Sequence, residues 1–439
     1  MRIHRFALPA LALALGLWWG TLTQARAAAS AEFSTGTVLT MDQALELAAR
    51  NRHELASLRA DQTAADVRLR HAGLPPNPEL VVEWDNLGND LPGDETRETT
   101  YLLSQPFELG GKRSARIDRG RAELLRLRHE QTATWLDIAA EVRAAFIEVL
   151  AARERLHLQQ EAEQIARDLA AITRERVAAG ELPVTEEIRA EARIALTGAE
   201  TLRSRRLLEQ AELSFNAALA DPGAMARSAD GLLPREVAIP EREALPVRLQ
   251  EAPLLALRRG ETSLATAEVA LAKANAWVDP AVSFGVRTLA EQDGHALVLG
   301  FSVPLPLFQR NQSELATADA TARKAAIREE AATTRLGLEL RKAYAELIAA
   351  DREAKSLRDE VLRPATEAAA AVQEGFRAGK FRYSDVLEAS ESLLAIKARH
   401  LNALIDLNLA AIALDRLLGE PALPAELRFT SSSPDRSDT

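Results

Sequence analysis

The 439-residue chain contains no cysteine. That absence excludes disulfides, thiolate metal sites, a cysteine nucleophile and a lipid-modified N-terminal cysteine. Methionine is nearly absent, with three residues, so no soft-ligand relay for metal ions is evident. Aromatic residues make up only 4%, which is low for a compact enzyme core and suits long helices rich in Ala, Leu, Glu and Arg. An excess of positive charge is missing too. The formal net charge is −10, whereas nonspecific nucleic-acid binding needs a basic face. Global disorder is excluded by a hydrophobic content of 47%, which is ordinary for folded proteins.

What the chain does have begins at its N-terminus. Arg2 and Arg5 precede an uncharged apolar run from Phe6 to Trp19, and Ala25-Arg26-Ala27 follows. This is the pattern of a secretory signal peptide over residues 1–27. The alternative, a membrane anchor, needs about 20 apolar residues, and this run is shorter. Cleavage would remove three arginines and leave a net charge of −13. No later stretch is apolar enough for a transmembrane helix. The expectation is therefore an exported protein, either periplasmic or placed in an outer membrane by other means.

The mature chain is duplicated at an offset near 200 residues. Asn77-Pro78 corresponds to Asp279-Pro280, and Ser104-Gln105-Pro106 to Ser302-Val303-Pro304. Arg143-Ala144-Ala145-Phe146 corresponds to Arg341-Lys342-Ala343-Tyr344, and Val177-Ala178-Ala179-Gly180 to Phe376-Arg377-Ala378-Gly379. The matches keep their order at offsets of 198 to 202. After a short N-terminal segment, 28–39, the repeats are expected at 40–220 and 254–420. Between them 221–253 carries prolines 222, 234, 240, 246 and 253 and reads as a linker. Residues 421–439 read as a polar C-terminal tail, disordered from Thr430 onward.

Residues 121–179 contain neither Gly nor Pro, so one helix of roughly 90 Å is predicted there. Trp135, Val142, Val149 and Leu156 recur every seven residues, accompanied by Ile138, Ala145 and Ala152. The second repeat has Leu340, Leu347, Ala354 and Val361 at the same spacing. A sustained heptad means coiled-coil packing. Each long helix is expected to turn at Gly180 or Gly379 and return over about 184–220 or 384–418, with Thr185 and Ser384 as N-caps.

Each repeat also contains a predicted strand pair, at about 79–88 with 97–106 and 281–290 with 295–304. Leu80, Val82 and Trp84 alternate with Glu79, Val81, Glu83 and Asp85. Thr99, Tyr101 and Leu103, then Val282, Phe284 and Val286, then Leu297, Leu299, Phe301 and Val303 continue the apolar series. Trp84, Tyr101, Phe107, Trp277, Phe284, Phe301 and Phe308 concentrate here, as an interfacial aromatic belt would require. Such alternation fits transmembrane strands, and soluble hairpins packed on helices are the alternative. Four strands cannot close a barrel, and an open edge cannot face lipid. Two, three or four chains would share eight, twelve or sixteen strands, and the strand pattern does not choose among them.

Together these features resemble the TolC-like outer membrane factors of tripartite efflux and secretion systems, over residues 38–420. Asn77-Pro78-Glu79-Leu80 and the run Ser104-Gln105-Pro106-Phe107-Glu108-Leu109-Gly110-Gly111-Lys112-Arg113 resemble the cobalt-zinc-cadmium resistance branch. Pro304-Leu305-Pro306-Leu307-Phe308-Gln309-Arg310-Asn311-Gln312 is similar to it as well. Phe376-Arg377-Ala378-Gly379 with Ser384-Asp385-Val386-Leu387 is typical of the wider family. The resemblance implies a mainly α-helical homotrimer that shares one transmembrane β-barrel of about twelve strands, continued by an α-helical periplasmic tunnel. It implies a duct for heavy-metal cations in the outer membrane, working with a periplasmic adaptor and an inner-membrane pump of the proton-driven resistance-nodulation-division type. Alternatives are a multidrug or type I secretion duct and, from another class, a soluble periplasmic coiled-coil adaptor. The adaptor reading lacks its expected small β-module.

By the same resemblance, Gly180, Leu182, Thr185, Gly379, Phe381 and Ser384 form the adaptor-contact tip. Helix termination alone would also explain the two glycines. Glu186, Phe376, Arg382, Asp385 and Glu388 match the family's periplasmic gate. Asp385 and Glu388 share a helix face, and repeated acids around an axis select cations. A solvated helix N-terminus would hold the same acids. If the apolar strand face meets lipid, Glu79, Glu83 and Asp85 line the barrel lumen. No catalytic constellation is expected. Gly110-Gly111-Lys112 lacks the rest of a P-loop, and His53-Glu54 has no second His for a zinc motif. The seven histidines, at 4, 53, 71, 129, 157, 295 and 400, are scattered, so neither a metal site nor a cofactor is expected.

Overall fold

The computed structural model describes residues 38–85, 98–221, 227–289, 294–424 and 427. The expected signal peptide and the tail from Thr430 lie outside them. In chain order the elements are β1 (Val38–Leu39), α1 (Met41–Asn51), α2 (His53–Ala72), β2 (Glu79–Asp85), β3 (Glu98–Pro106), α3 (Lys112–Ala178) and α4 (Val184–Ala218). The second repeat follows with β4 (Ser228–Ala229), α5 (Leu245–Glu251), α6 (Pro253–Asn275), β5 (Ala281–Leu289), β6 (Gly294–Ser302) and α7 (Gln312–Ser356). A π-helical turn (Leu357–Leu362), α8 (Arg363–Arg377) and α9 (Tyr383–Leu418) complete it.

The stretch expected as a linker is partly ordered. It holds β4, a 3₁₀ turn (Arg242–Ala244) and α5. Pro246 and Pro253 occupy the first turns of α5 and α6, where a missing N–H costs nothing. β6 ends at Ser302, two residues short of expectation. Pro304, just beyond, has no N–H to offer a ladder.

Helix α3 runs 67 residues, about 100 Å at 1.5 Å per residue. It starts earlier than the Gly-free run suggested, because Gly120 sits inside the helix rather than before it. A Cβ at Gly120 would come within 3.1 Å of Leu69, so this glycine serves close approach of α2. The heptad positions Trp135, Val142 and Val149 are buried, as are Leu340, Leu347 and Ala354. Val361, next in the second series, is 36% exposed. It lies in the π turn, which takes up one residue more than an α-turn and breaks the phase. Pro364, at the start of α8, accounts for the widening, since its ring would clash with the carbonyl four residues back. The repeat offset records the insertion: 198 at Arg143/Arg341 becomes 199 at Gly180/Gly379.

The residues form two compact units, each drawing on both repeats. One comprises Glu141–Glu236 and Asp351–Leu409 with the N-terminal residues to Asn51. In it β1 and β4 pair in parallel, and Arg153 donates to Ser228 Oγ (2.9 Å) and the Ala229 carbonyl (2.6 Å). Phe146 and Phe215 meet edge to face at 5.7 Å. The other unit comprises Arg52–Ala140, Val237–Ala350 and the residues from Ala410. There Ala65, Leu124 and Leu127 pack together, and the buried Trp135 donates from Nε1 to the Pro421 carbonyl at 3.1 Å. The same unit holds the four-stranded antiparallel sheet, in the order β2-β3-β5-β6.

Candidate functional site

Two regions carry the expected site residues, one in each unit. The first is the sheet. Its registers set Leu80 beside Leu103, Leu103 beside Phe284, and Phe284 beside Leu299. The row Val82, Tyr101, Val286 and Leu297 lies next to it. Both rows fall on one face, because side chains alternate with period two. Leu80, Leu297, Leu299 and Phe301 are each more than 70% exposed in one chain. Exposure of this extent is far beyond a scattered surface leucine.

The opposite face carries the charged residues, on either side of an apolar row of Val81, Leu102, Gly285 and Val298. Glu79 is level with Ser104 and Ser283, Glu83 with Thr100 and Arg287, and Asp85 with Glu98. The three acids expected in a lumen thus share one face. Sequence reasoning missed the cation among them. Arg287 pairs with Glu98 at 2.9 Å and donates from Nε to Thr100 Oγ1 at 3.2 Å. Its place in the alternation, on the acidic side of β5, was the available signal. The sheet is open: among the described residues β2 and β6 have no ladder partner on their outer edges.

Where the sheet meets the helices, Gly110 and Gly111 both take left-handed backbone (φ +72° and +76°) and release the chain into α3. Asp279, just before β5, accepts from Lys112 Nζ (2.6 Å) and from the Leu109 amide (3.1 Å). Phe107 N–H donates to the Pro280 carbonyl at 2.8 Å. The Trp277 ring fills the space that a Cβ on Gly110 would need.

The second region is the pair of helical turns. Gly180 and Gly379 have φ of +76° and +73°. Glu181 N–H donates to Arg176 and Gly180 N–H to Val177, while Lys380 and Gly379 repeat this with Gly375 and Phe376. Both turns are therefore Schellman caps, which need a left-handed residue. No atom lies within 4 Å of a Cβ built on either glycine, so each turn is open on its outer side. Leu182 is half-buried and Thr185 exposed.

The expected N-caps are corrected. Helix α4 starts one residue before Thr185, with Pro183 in the cap position and no side-chain cap bond. Ser384 is the second residue of α9. The cap is made by Asp385, whose Oδ2 accepts the Arg382 N–H at 2.9 Å, the reach-back half of a capping box. That hydrogen bond holds the Asp385 carboxyl below the usual range, with help from Ser384 Oγ and the Arg382 charge. Asp385 is committed to this cap, whereas Glu388 is exposed. Glu186 pairs with Arg189 at 3.0 Å, and the Arg382 side chain is 86% exposed.

Phe376 is also corrected. It is 1% exposed and packs with Leu169, Ala170, Ala190, Tyr383 and Val386 between the two hairpins. The Arg176 guanidinium stands 5.4 Å from its ring centroid. It is a core residue of the tip, not a free aromatic. Four residues that sequence reasoning missed complete the tip. Arg193 of α4 pairs with Glu391 of α9 at 2.9 Å. Tyr383 is buried, and burial, with Glu186 and Glu391 nearby, pushes its phenol up. Gly375 provides the bare backbone on which the Phe381 ring rests. A glycine inside a helix gives no sequence sign of such a seat.

Farther along this unit lies a cleft of about 310 Å³, lined by His157, Leu158, Arg235, Arg358, Lys397 and His400 among others. Lys397 donates to Glu161 at 2.6 Å. Burial, and then Arg235 and Arg358, hold the His400 imidazole below its usual range. Among the described residues no group of three His, Asp or Glu could hold a metal ion. No helix among them is long and apolar enough to cross a membrane.

The outer membrane efflux protein family model matches residues 21–221 and 248–420. The cobalt-zinc-cadmium resistance protein CzcC of Cupriavidus metallidurans is 32% identical over 385 residues, covering 87% of this chain and 90% of that one. The nickel and cobalt resistance protein CnrC of the same organism is 28% identical over 276 residues, 62% of this chain and 64% of that one. Among solved structures, the CusC channel aligns with a TM-score of 0.72 at 18% identity, over 86% of this chain and 91% of that one. The CmeC outer membrane channel of Campylobacter jejuni aligns at 0.70 and 14% identity, over 89% and 90%. These two likenesses are of fold.

Proposed function

The chain belongs to the outer membrane efflux protein family, and on that premise we propose that it is the outer-membrane duct of a tripartite system exporting heavy-metal cations. The observation that carries the duct is the sheet: a continuous apolar face, a face behind it that bears four acids, and, among the described residues, two unpaired edges. Three copies would close a barrel of about twelve strands, with the apolar face on outer-membrane lipid and Glu79, Glu83, Asp85 and Glu98 toward water. An excess of acids over the single Arg287 favours cations. The cargo rests on the likeness to CzcC, a cobalt-zinc-cadmium resistance protein, and CnrC, a nickel and cobalt resistance protein.

The long helices continue the duct on the periplasmic side. The open turns at Gly180 and Gly379, with Leu182, Thr185, Phe381 and Ser384, are the contact for a periplasmic adaptor. Glu186, Arg382, Asp385 and Glu388 form the entrance, with Phe376 left to the core. No catalytic group is assigned, so the energy comes from an inner-membrane pump of the proton-driven type.

Deleting the gene and measuring tolerance to zinc, cobalt, cadmium, nickel, copper and silver beside drugs and detergents tests the cargo. Sensitivity confined to metals and restored by the intact gene is expected. Sensitivity to drugs alone would overturn the metal assignment and leave the duct.

A further inference from the structure

We propose that β6 of one copy pairs antiparallel with β2 of the next in the register that sets Phe301 opposite Val82, so that the seam between chains repeats the β3·β5 seam inside one. This rests on the shared-barrel reading and adds the register and contacts that hold it together. The reason is in the duplication. Within the first hairpin Glu79 faces Ser104; within the second Ala281 faces Ser302. The leading strands differ by 202 in number and the trailing strands by 198, and those offsets carry one register onto the other residue for residue.

The β3·β5 seam joins a trailing strand to a leading strand, with Leu103 opposite Phe284 and Ser104 opposite Ser283. The two free edges are the same kinds of strand: trailing β6 and leading β2. Applying the offsets puts Phe301 opposite Val82, Leu299 opposite Trp84, Val303 opposite Leu80 and Gly300 opposite Glu83. Every apolar-face residue then meets an apolar-face residue. A slip by one would set Phe301 against Val81 or Glu83 on the opposite face, which side-chain alternation forbids. A head-to-tail contact of this kind closes into a ring when its rotation divides the circle.

The contacts beside the seam map in the same way. Lys112 corresponds to Arg310 and Asp279 to Asn77, so the Lys112–Asp279 ion pair becomes Arg310 against Asn77 of the next copy. The Phe107 N–H bond to the Pro280 carbonyl becomes Leu305 N–H to Pro78. Gly110 and Trp277 correspond to Phe308 and Pro75. The aromatic ring therefore crosses to the other side of the seam and covers a proline instead of a glycine. In one chain Phe308 is 89% exposed and Leu305 74%, and Pro75 and Asn77 are exposed as well. This seam covers them with a second copy.

The cysteine-free chain allows a direct test by disulfide trapping. Val82→Cys/Phe301→Cys is oxidised in outer membranes with copper–phenanthroline. Leu80→Cys/Phe301→Cys and Trp84→Cys/Phe301→Cys serve as displaced pairs. Directly opposed residues lie about 5 Å apart and displaced ones about 7–8 Å, beyond disulfide reach. The expected result is a reductant-sensitive ladder at least about fivefold stronger for 82/301 than for either displaced pair. Pro78→Cys/Leu305→Cys, outside the strands and mapped from the backbone hydrogen bond of Phe107 to Pro280, repeats the test should strand cysteines impede insertion. Amine cross-linking of the same membranes reads assembly without regard to register. Assembly with trapping in a displaced pair, or in none, overturns the register. Absence of any assembly overturns the shared barrel and this seam with it.

Discussion

The Phe381 ring lies against the bare α-carbon of Gly375, across the turn that ends α8. A Cβ on Gly375 would overlap two ring carbons, so this glycine sets where the most exposed aromatic of the tip stands. Gly180 and Gly379 act differently: they meet no neighbour and are required only by their left-handed backbone.

Gly375→Val is therefore expected to displace Phe381 and cost about 1–3 kcal/mol through overpacking. Metal tolerance should fall while the amount of protein in the outer membrane stays constant. Gly180→Ala and Gly379→Ala carry only backbone strain of roughly 1–2 kcal/mol and should reduce tolerance less. Full tolerance with Gly375→Val would remove Phe381 from the adaptor contact.

Phe376→Ala separates a core role from a gating one. A fully buried phenylalanine costs about 3–5 kcal/mol on truncation, to which the Arg176 contact adds roughly 0.5–1 kcal/mol. Trypsin cleavage within 174–193, where Arg174, Arg176, Arg189 and Arg193 cluster, should accelerate. Increased conductance with unchanged protease resistance would return Phe376 to the gate.

Arg287→Gln tests the charge-bearing strand face. The substitution leaves four acids without their cation, so the reversal potential across a planar bilayer under a salt gradient should move toward cation selectivity. Stability should change by less than about 1 kcal/mol, because the Arg287–Glu98 pair is partly exposed. An unchanged reversal potential would take this face out of the conduction path.

The His400 cleft gives a pH dependence with a defined sign. A histidine held below its ordinary pKa in the folded state takes up a proton more readily when unfolded. Its contribution to stability is complete above the ordinary value of about 6.5 and is lost as pH falls from there toward the folded value. The chain should therefore lose thermal stability between pH 7 and 5, and His400→Gln should flatten that slope. Burial lowers His129 in the same direction, so part of the slope remains. A slope unaltered by the substitution would exclude His400 as its source.

Much of this architecture was legible because its signals are periodic. Alternation over seven to nine residues gave the strand faces, and the heptad gave the buried stripes of α3 and α7. Gly180 and Gly379 were legible because a Schellman cap demands a residue type. Contacts between distant segments were not. Phe376 was expected at a gate because its type and place matched one, but its burial depends on Leu169 and Ala190, which no local pattern brings to it. Thr185 and Ser384 have the right chemistry for N-caps, yet Pro183 sets the start of one helix and Asp385 reaches back to cap the other. The helix was expected only over the Gly-free run from 121, yet Gly120 lies inside it as a packing site, since glycine has both uses and only its neighbour Leu69 decides between them.

The π turn at 357–362 gives the second repeat a mechanical property that the first lacks. Helix α3 passes from Lys112 to Ala178 without interruption, whereas its counterpart is divided by a turn of wider, poorer hydrogen bonding placed just before a proline. Bending stress along that counterpart collects at one known place. Two hairpins of nearly equal length and common ancestry are thus unequal springs: one resists flexure along its whole course and the other yields at a single turn.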